Sequence, residues 1–164
     1  PGSVTTRTID SPGGDVTLGN ATLGATVTVP RNAFAQPTIV TLTLISDDGS
    51  LAEYPGSIGP IFSLSKTDAL QRPVTLQKPA TFDLKFTPAD TSIPAQRVAL
   101  AYFETQSNPN LWIAISGSSY DATTDVLTGS VFEFSEPRLF APVESCLTGQ
   151  ACSDPKTCRG GACQ

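Results

Sequence analysis

Two stretches decide the fold. Ala25-Thr26-Val27-Thr28-Val29 alternates without a break, and Thr38-Ile39-Val40-Thr41-Leu42-Thr43-Leu44-Ile45-Ser46 is the longest apolar and β-branched run nearby. In the first, Val27 and Val29 point to one face and Thr26 and Thr28 to the other, which is the period of a half-buried strand. Pro30 ends it, and Arg31 to Pro37 is too short and too proline-bounded for a helix, so it reads as a turn whose Phe34 caps the core. Working outward, Val4 to Ile9 reads as a strand closed by Ser11-Pro12-Gly13-Gly14, and Asp15 to Leu18 as a second. Beyond the Asp47-to-Gly59 loop, strands are expected at about 60–64, 74–76, 81–86, 97–103, 112–116, 126–134 and 138–143. Tyr120 to Val126 and Ser107 to Asn110 look like hairpin tips. No segment carries a 3.6-residue period. Many short strands between regularly spaced turn residues predict an all-β, antiparallel β-sandwich.

The composition agrees and narrows the function. Of 164 residues only 15% are charged, against about a quarter in an average domain. Thr and Ser take over the surface. There is no histidine and no methionine, and ten basic against fifteen acidic residues leave a net charge of −5. An acidic chain with so few cations has little with which to neutralise a run of phosphates, so a nucleic-acid partner is not expected. Without histidine the commonest general base, metal ligand and partner of a nucleophilic Ser or Cys are missing. No apolar run is long enough to span a bilayer. Pro1-Gly2-Ser3 reads as a scar of expression, residues 4–143 as the sandwich and 144–164 as a separate Cys-rich tail.

In that order of motifs the chain resembles the ZU-five domain, the β-sandwich of ankyrins, netrin receptors and zonula occludens proteins, found in looser form in bacterial surface proteins. The resemblance runs from Gly13-Gly14-Asp15-Val16-Thr17-Leu18, through Ala25 to Ala33 with its Pro30-x-x-Ala33, and Gly59-Pro60, to Pro73-Val74-Thr75-Leu76. It closes with Val98 to Phe103, Leu111-Trp112 and Phe132-Glu133-Phe134-Ser135. Some members carry His-Phe-Ser at this last place and cut their own chain between Phe and Ser. The positions here are Glu133, Phe134 and Ser135. The resemblance implies that Glu133 would have to serve as the base, which requires a carboxyl pKa raised by burial. We expect the bond between Phe134 and Ser135 to be intact, with Phe132 and Phe134 an alternating pair on the inner face and Ser135 opening a bend before Pro137.

Cys146, Cys152, Cys158 and Cys163 all fall in the last nineteen positions. Their C-x5-C-x5-C-x4-C spacing lacks the close pairs and histidines of zinc sites. Two disulfides are expected, because so short and polar a segment cannot hold a shape by burial alone. Three pairings are open, and we expect the interleaved 146–158 and 152–163. Disulfides in turn imply a secreted, periplasmic or cell-surface protein. Asp47-Asp48-Gly49 and the pair Asp121 and Asp125 lack the alternating oxygens of a calcium loop and read as turn residues. Asn20-Ala21-Thr22 is a glycosylation sequon only in a eukaryotic host. Trp112 reads as a buried sandwich tryptophan, whereas Tyr54 and Tyr120 lie by loops and are the candidates for an exposed binding contact. No cofactor or metal is expected. The expected function is a non-enzymatic extracellular or cell-surface module for contact with another protein or for structural spacing. The alternatives are an autoproteolytic module cut at Phe134–Ser135, a carbohydrate-binding module, and a filament-forming surface subunit.

Overall fold

A computed structural model describes residues 3–106 and 109–164. Eleven strands build the body: β1 (Val4–Ile9), β2 (Gly14–Gly19), β3 (Gly24–Val29), β4 (Thr38–Ser46), β5 (Ile61–Thr67), β6 (Ala80–Lys85), β7 (Val98–Glu104), β8 (Leu111–Ala114), β9 (Ser119–Asp121), β10 (Val126–Val131) and β11 (Arg138–Glu144). A 3-10 turn, Ala95–Arg97, precedes β7, and a small hairpin of β12 (Cys158–Arg159) and β13 (Ala162–Cys163) follows. Every pairing is antiparallel. One sheet has the order β1-β4-β5-β11-β7-β8 and the other β2-β3-β6-β10-β9. The two sheets pack face to face, so the antiparallel β-sandwich is the observed fold.

The period of two does the sorting. Val40, Leu42, Phe62 and Leu64 from the six-stranded sheet meet Val27, Val29, Phe82, Leu84 and Leu127 from the other in one buried cluster. Phe82 joins its aromatic neighbours across the gap, with ring centroids 5.0 Å from Phe140 and 6.4 Å from Phe62. Outward positions are mostly hydroxylated. Thr17 and Thr26 touch through their hydroxyls at 3.1 Å, and Thr128 donates to Asp83 at 2.7 Å, so polar cross-strand pairs finish the solvent face.

A second apolar cluster lies on the other face of the six-stranded sheet. It comprises Ile61, Ala99, Ala101, Phe103, Trp112, Ala114, Ala141, Val143 and Ala162, and it is covered by the tail and by the loop that carries Leu51 and Tyr54. Four alanines of the sheet, Ala99, Ala101, Ala114 and Ala141, leave room for the tail and its Ala162 to come close. Trp112 is fully buried, as expected, but in this outer cluster rather than between the sheets.

The tail is held by Cys146–Cys158 and Cys152–Cys163, the interleaved pairing. Its hairpin turns on Gly160 and Gly161, with φ of +59° and +78°, the backbone signs of a two-residue type I′ turn. A side chain on Gly160 would press within 2.8 Å of the Trp112 carbonyl. Gly160 accepts a hydrogen bond from Ala114 N–H (2.9 Å), and Cys146 N–H donates to Gly161 (2.8 Å).

Three expectations need correction. Residues 74–76 are not a strand: Pro73 and Pro79 flank them, and only an isolated bridge links Pro73 to Thr67. The expected strand 126–134 ends at Val131. Because Leu127 and Val131 take the inner face, the pleat turns Phe132 outward, where it is 63% exposed, and only Phe134 is buried. Finally, Tyr120 lies in β9 rather than at a loop tip; β9 and β10 form the hairpin, and Asp125 supplies its left-handed turn residue (φ 56°). Of the turn expected at Ser107 to Asn110, Ser107 and Asn108 lie outside the described residues.

Candidate functional site

The Phe132–Ser135 segment leaves the end of β10 and is pinned from beneath by Lys66. On β5, Phe62 and Leu64 point inward, and the same parity sends Lys66 inward too, where its side chain is only 3% exposed. Its ammonium reaches Glu133 Oε1 at 2.8 Å, donates to the Val74 carbonyl and lies 4.6 Å from the centre of the Phe134 ring. Glu133 also accepts the Leu76 N–H at 2.7 Å. One ion pair therefore joins β5, the extended residues 74–76 and the segment after β10.

These contacts set the chemistry of Glu133. Burial pushes its carboxyl up, but the hydrogen bond and charge of Lys66, with the N–H groups of Leu76 and Phe134, outweigh burial and hold it below the ordinary carboxylate range. The carboxylate is thus ionised and engaged, whereas a proton acceptor in place of His would need a raised pKa. Phe134 is buried against Phe140, with ring centroids 6.4 Å apart, and Ser135 is exposed.

Ser135, Glu136 and Pro137 form a ridge with a cleft on each side. On one side, Tyr54, Ser63, Phe103, Glu104, Gln106 and Arg138 help to line a cleft of about 330 Å³ that also includes Ser135. On the other, Thr6, Thr41, Ser65, Thr67 and Gln71 line a hydroxyl-rich one of about 510 Å³. The structure so brings together Tyr54 and Ser135, two residues singled out in the sequence for unrelated reasons. Tyr54 packs edge-on against Phe103 (4.9 Å), which packs in turn on Trp112 (5.0 Å), so the ring is anchored and half-buried rather than free. The Arg138 guanidinium lies 4.4 Å over the Tyr102 ring.

Tyr120 is elsewhere. Its ring packs on Phe86, and its hydroxyl donates to Asp125 at 2.7 Å; burial first, then that hydrogen bond and the charge of Asp125, push the phenol well above its usual range. It ties the β9–β10 hairpin to the body. Asp48 accepts from the Ser50 hydroxyl (2.7 Å) and N–H (2.9 Å), bonds that hold its carboxyl low, as a turn aspartate does. Asp121 likewise accepts the Thr123 N–H. The sulfurs of Cys146, Cys152 and Cys163 lie within 4.8 Å of one another, and all four cysteines are consumed in the two disulfides.

Sequence reasoning missed the charged clamp at the root of the tail. Glu144, 4% exposed, meets Arg97 at 3.2 Å and Lys156 at 3.8 Å, and Arg97 also donates to the Ser145 carbonyl at 2.9 and 3.1 Å. The usable signal was parity at Lys66. Arg97, Glu144 and Lys156 are too far apart in sequence to suggest their meeting.

Among the described residues no helix is long and apolar enough to cross a membrane. Compared with known protein families, with curated proteins and with solved structures, the chain has no match in any of the three.

Proposed function

We propose that this chain is a non-enzymatic module of the extracellular space or a bacterial cell surface, a ZU-five-like sandwich that makes contact with another protein through the cleft between Tyr54 and Arg138. The observation that carries the reading is the composition of that cleft: an anchored Tyr54–Phe103 pair beside an Arg and rimmed by Glu104, Gln106 and Glu136. Tyr and Arg held rigid at the centre of a polar rim are the residue types that dominate the energetics of protein interfaces. The two disulfides support the compartment, because they persist where thiols are not kept reduced.

The test uses the intact chain immobilised on a sensor. A fraction of secreted and surface proteins and a glycan array are passed over it, beside Tyr54→Ala and Arg138→Ala. Proteins held by the wild type and released by both variants support the reading. Glycan binding that depends on Tyr54 would replace it with the carbohydrate-binding alternative. Intact mass under denaturing, reducing conditions addresses cleavage: one 17.1 kDa species is expected, and fragments ending at Phe134 and beginning at Ser135 would make the chain an autoproteolytic module.

A further inference from the structure

The six-stranded sheet has two edges, and they are finished differently. On β8 the tail takes the outward peptide groups. Trp112 N–H donates to Gln164 Oε1 and the Trp112 carbonyl accepts from Gln164 Nε2, both at 2.8 Å, while Ala114 N–H goes to Gly160. One glutamine side chain stands in for a paired strand residue, and the edge is sealed. On β1 the Leu44 N–H donates to the Ser3 carbonyl at 2.9 Å and Val4 lies opposite Thr43. Bonded and non-bonded pairs alternate along an antiparallel ladder, so Thr5, Arg7 and Ile9 turn their peptide groups to β4, and Val4, Thr6 and Thr8 turn theirs away. No described strand pairs with that side.

Proline, lysine and bulges are absent from β1, which has Val, Thr and Ile at all positions but one, and its one charged residue is turned away from the outer edge. The exception, Arg7, sends its guanidinium inward to the Asp15 carbonyl on β2 at 2.7 Å. Among the outer strands β9 has only three residues, and β2, six residues long like β1, has its Asp15 carbonyl engaged by Arg7 and ends at Gly19 with a φ of +115°.

We propose that β1 is the edge through which two copies of this chain associate, antiparallel, into one continuous sheet. Only a register with Thr6 opposite its own counterpart lets all three outward residues pair, with Val4 opposite Thr8. The same register sets Arg7 opposite Thr5, so like charges do not face each other. It prolongs the outer Thr6–Thr41–Ser65 row into the second copy. Because β8 is sealed, the sheet can grow on one side only, and the assembly closes as a two-fold dimer instead of continuing as a filament. The net charge of −5 opposes the approach of two copies, so added salt strengthens the association. This edge is distinct from the Tyr54 cleft, and neither proposal depends on the other.

Sedimentation of the oxidised chain over a wide concentration range reads the result. The expected mass rises with concentration from 17.1 kDa to twice that value and no further, and does so at lower concentration in high salt. Thr6→Pro removes an outward N–H without touching the β4 ladder, and Thr6→Lys puts like charges at the centre of the contact; both stay monomeric. If Thr6→Pro fails to fold, Thr6→Lys alone carries the test. Thr6→Cys cross-links to a covalent dimer under mild oxidation. A wild-type chain that is monomeric at every concentration, assembly that continues beyond two, or a folded Thr6→Lys that still dimerises overturns the proposal.

Discussion

Lys66 is a buried cation, and neutralising its partner tests how it is held. Its side chain is 3% exposed and that of Glu133 43%, so Glu133→Gln strands a buried ammonium with only the Val74 carbonyl and the Phe134 ring for company. Removing one partner of a fully buried pair costs about 3–5 kcal/mol. Solvent reaching Glu133 screens the interaction, which scales the expected loss to about 2–3 kcal/mol, or roughly 4–12 °C in Tm for a chain of this size. Lys66→Met instead deletes the buried charge while keeping its volume and leaves Glu133 free to hydrate, so it costs only about 1 kcal/mol. Denaturant unfolding of both single variants and the double variant isolates a coupling of about 1–2 kcal/mol. The pH dependence follows in sign. A carboxyl held below its ordinary value contributes stability above that ordinary value, near 4.5, and loses it as pH falls through the lower folded-state value. Glu133→Gln should flatten that acid limb of the stability curve. A Glu133→Gln chain within about 0.5 kcal/mol of wild type, or one less destabilised than Lys66→Met, would refute the reasoning.

Two further outcomes are expected. Reduction of both disulfides, whose cysteines are 12 and 11 residues apart, removes about 3 kcal/mol of chain constraint each and frees the cover over Trp112; its fluorescence shifts to the red and a hydrophobic dye binds, and unchanged emission would show that the tail stays docked without its bridges. Gly160→Ala combines a left-handed backbone with a contact 2.8 Å from the Trp112 carbonyl, and costs about 2–4 kcal/mol. Gly149→Ala, also left-handed but facing open space, costs about 1 kcal/mol, so equal melting temperatures for the two variants would contradict the close approach.

What was legible in the sequence was whatever period two controls. Strands such as β3 and β4 match their expected spans because each has one inner and one outer face, and alternation reports that asymmetry directly. Phe132 departs from the expected inner position because the parity set by Leu127 and Val131 outranks the aromatic repeat Phe132-x-Phe134. Residues 74–76 look like a strand by composition, yet the Val74 N–H goes to the Lys66 carbonyl and the Leu76 N–H to the Glu133 side chain, so no continuous ladder forms between the flanking prolines. Trp112 was correctly expected to be buried, but period two cannot say which of two buried faces a side chain joins. A sheet apolar on both faces carries no alternation at all, and the unbroken runs Val98-Ala99-Leu100-Ala101 in β7 and Phe140-Ala141-Pro142-Val143 in β11, buried throughout, are where that second face shows in the sequence.

That double burial makes the tail more than an appendage. A two-layer sandwich of this kind needs only one apolar face per sheet, yet β5, β7, β8 and β11 carry apolar residues on both. Ala99, Ala101, Ala114 and Ala141 are too small to fill an interface themselves, and their value lies in letting the hairpin of β12 and β13 sit close enough for Ala162 to complete the cluster. The hairpin in turn cannot hold a shape by burial, so the disulfides fix it, and Arg97, Glu144 and Lys156 fasten its root. Its last residue then satisfies the β8 edge through Gln164. Among the described residues the six-stranded sheet therefore ends in two different ways: the β8 side is covered by the disulfide-held tail, and the β1 side presents the outward peptide groups of Val4, Thr6 and Thr8.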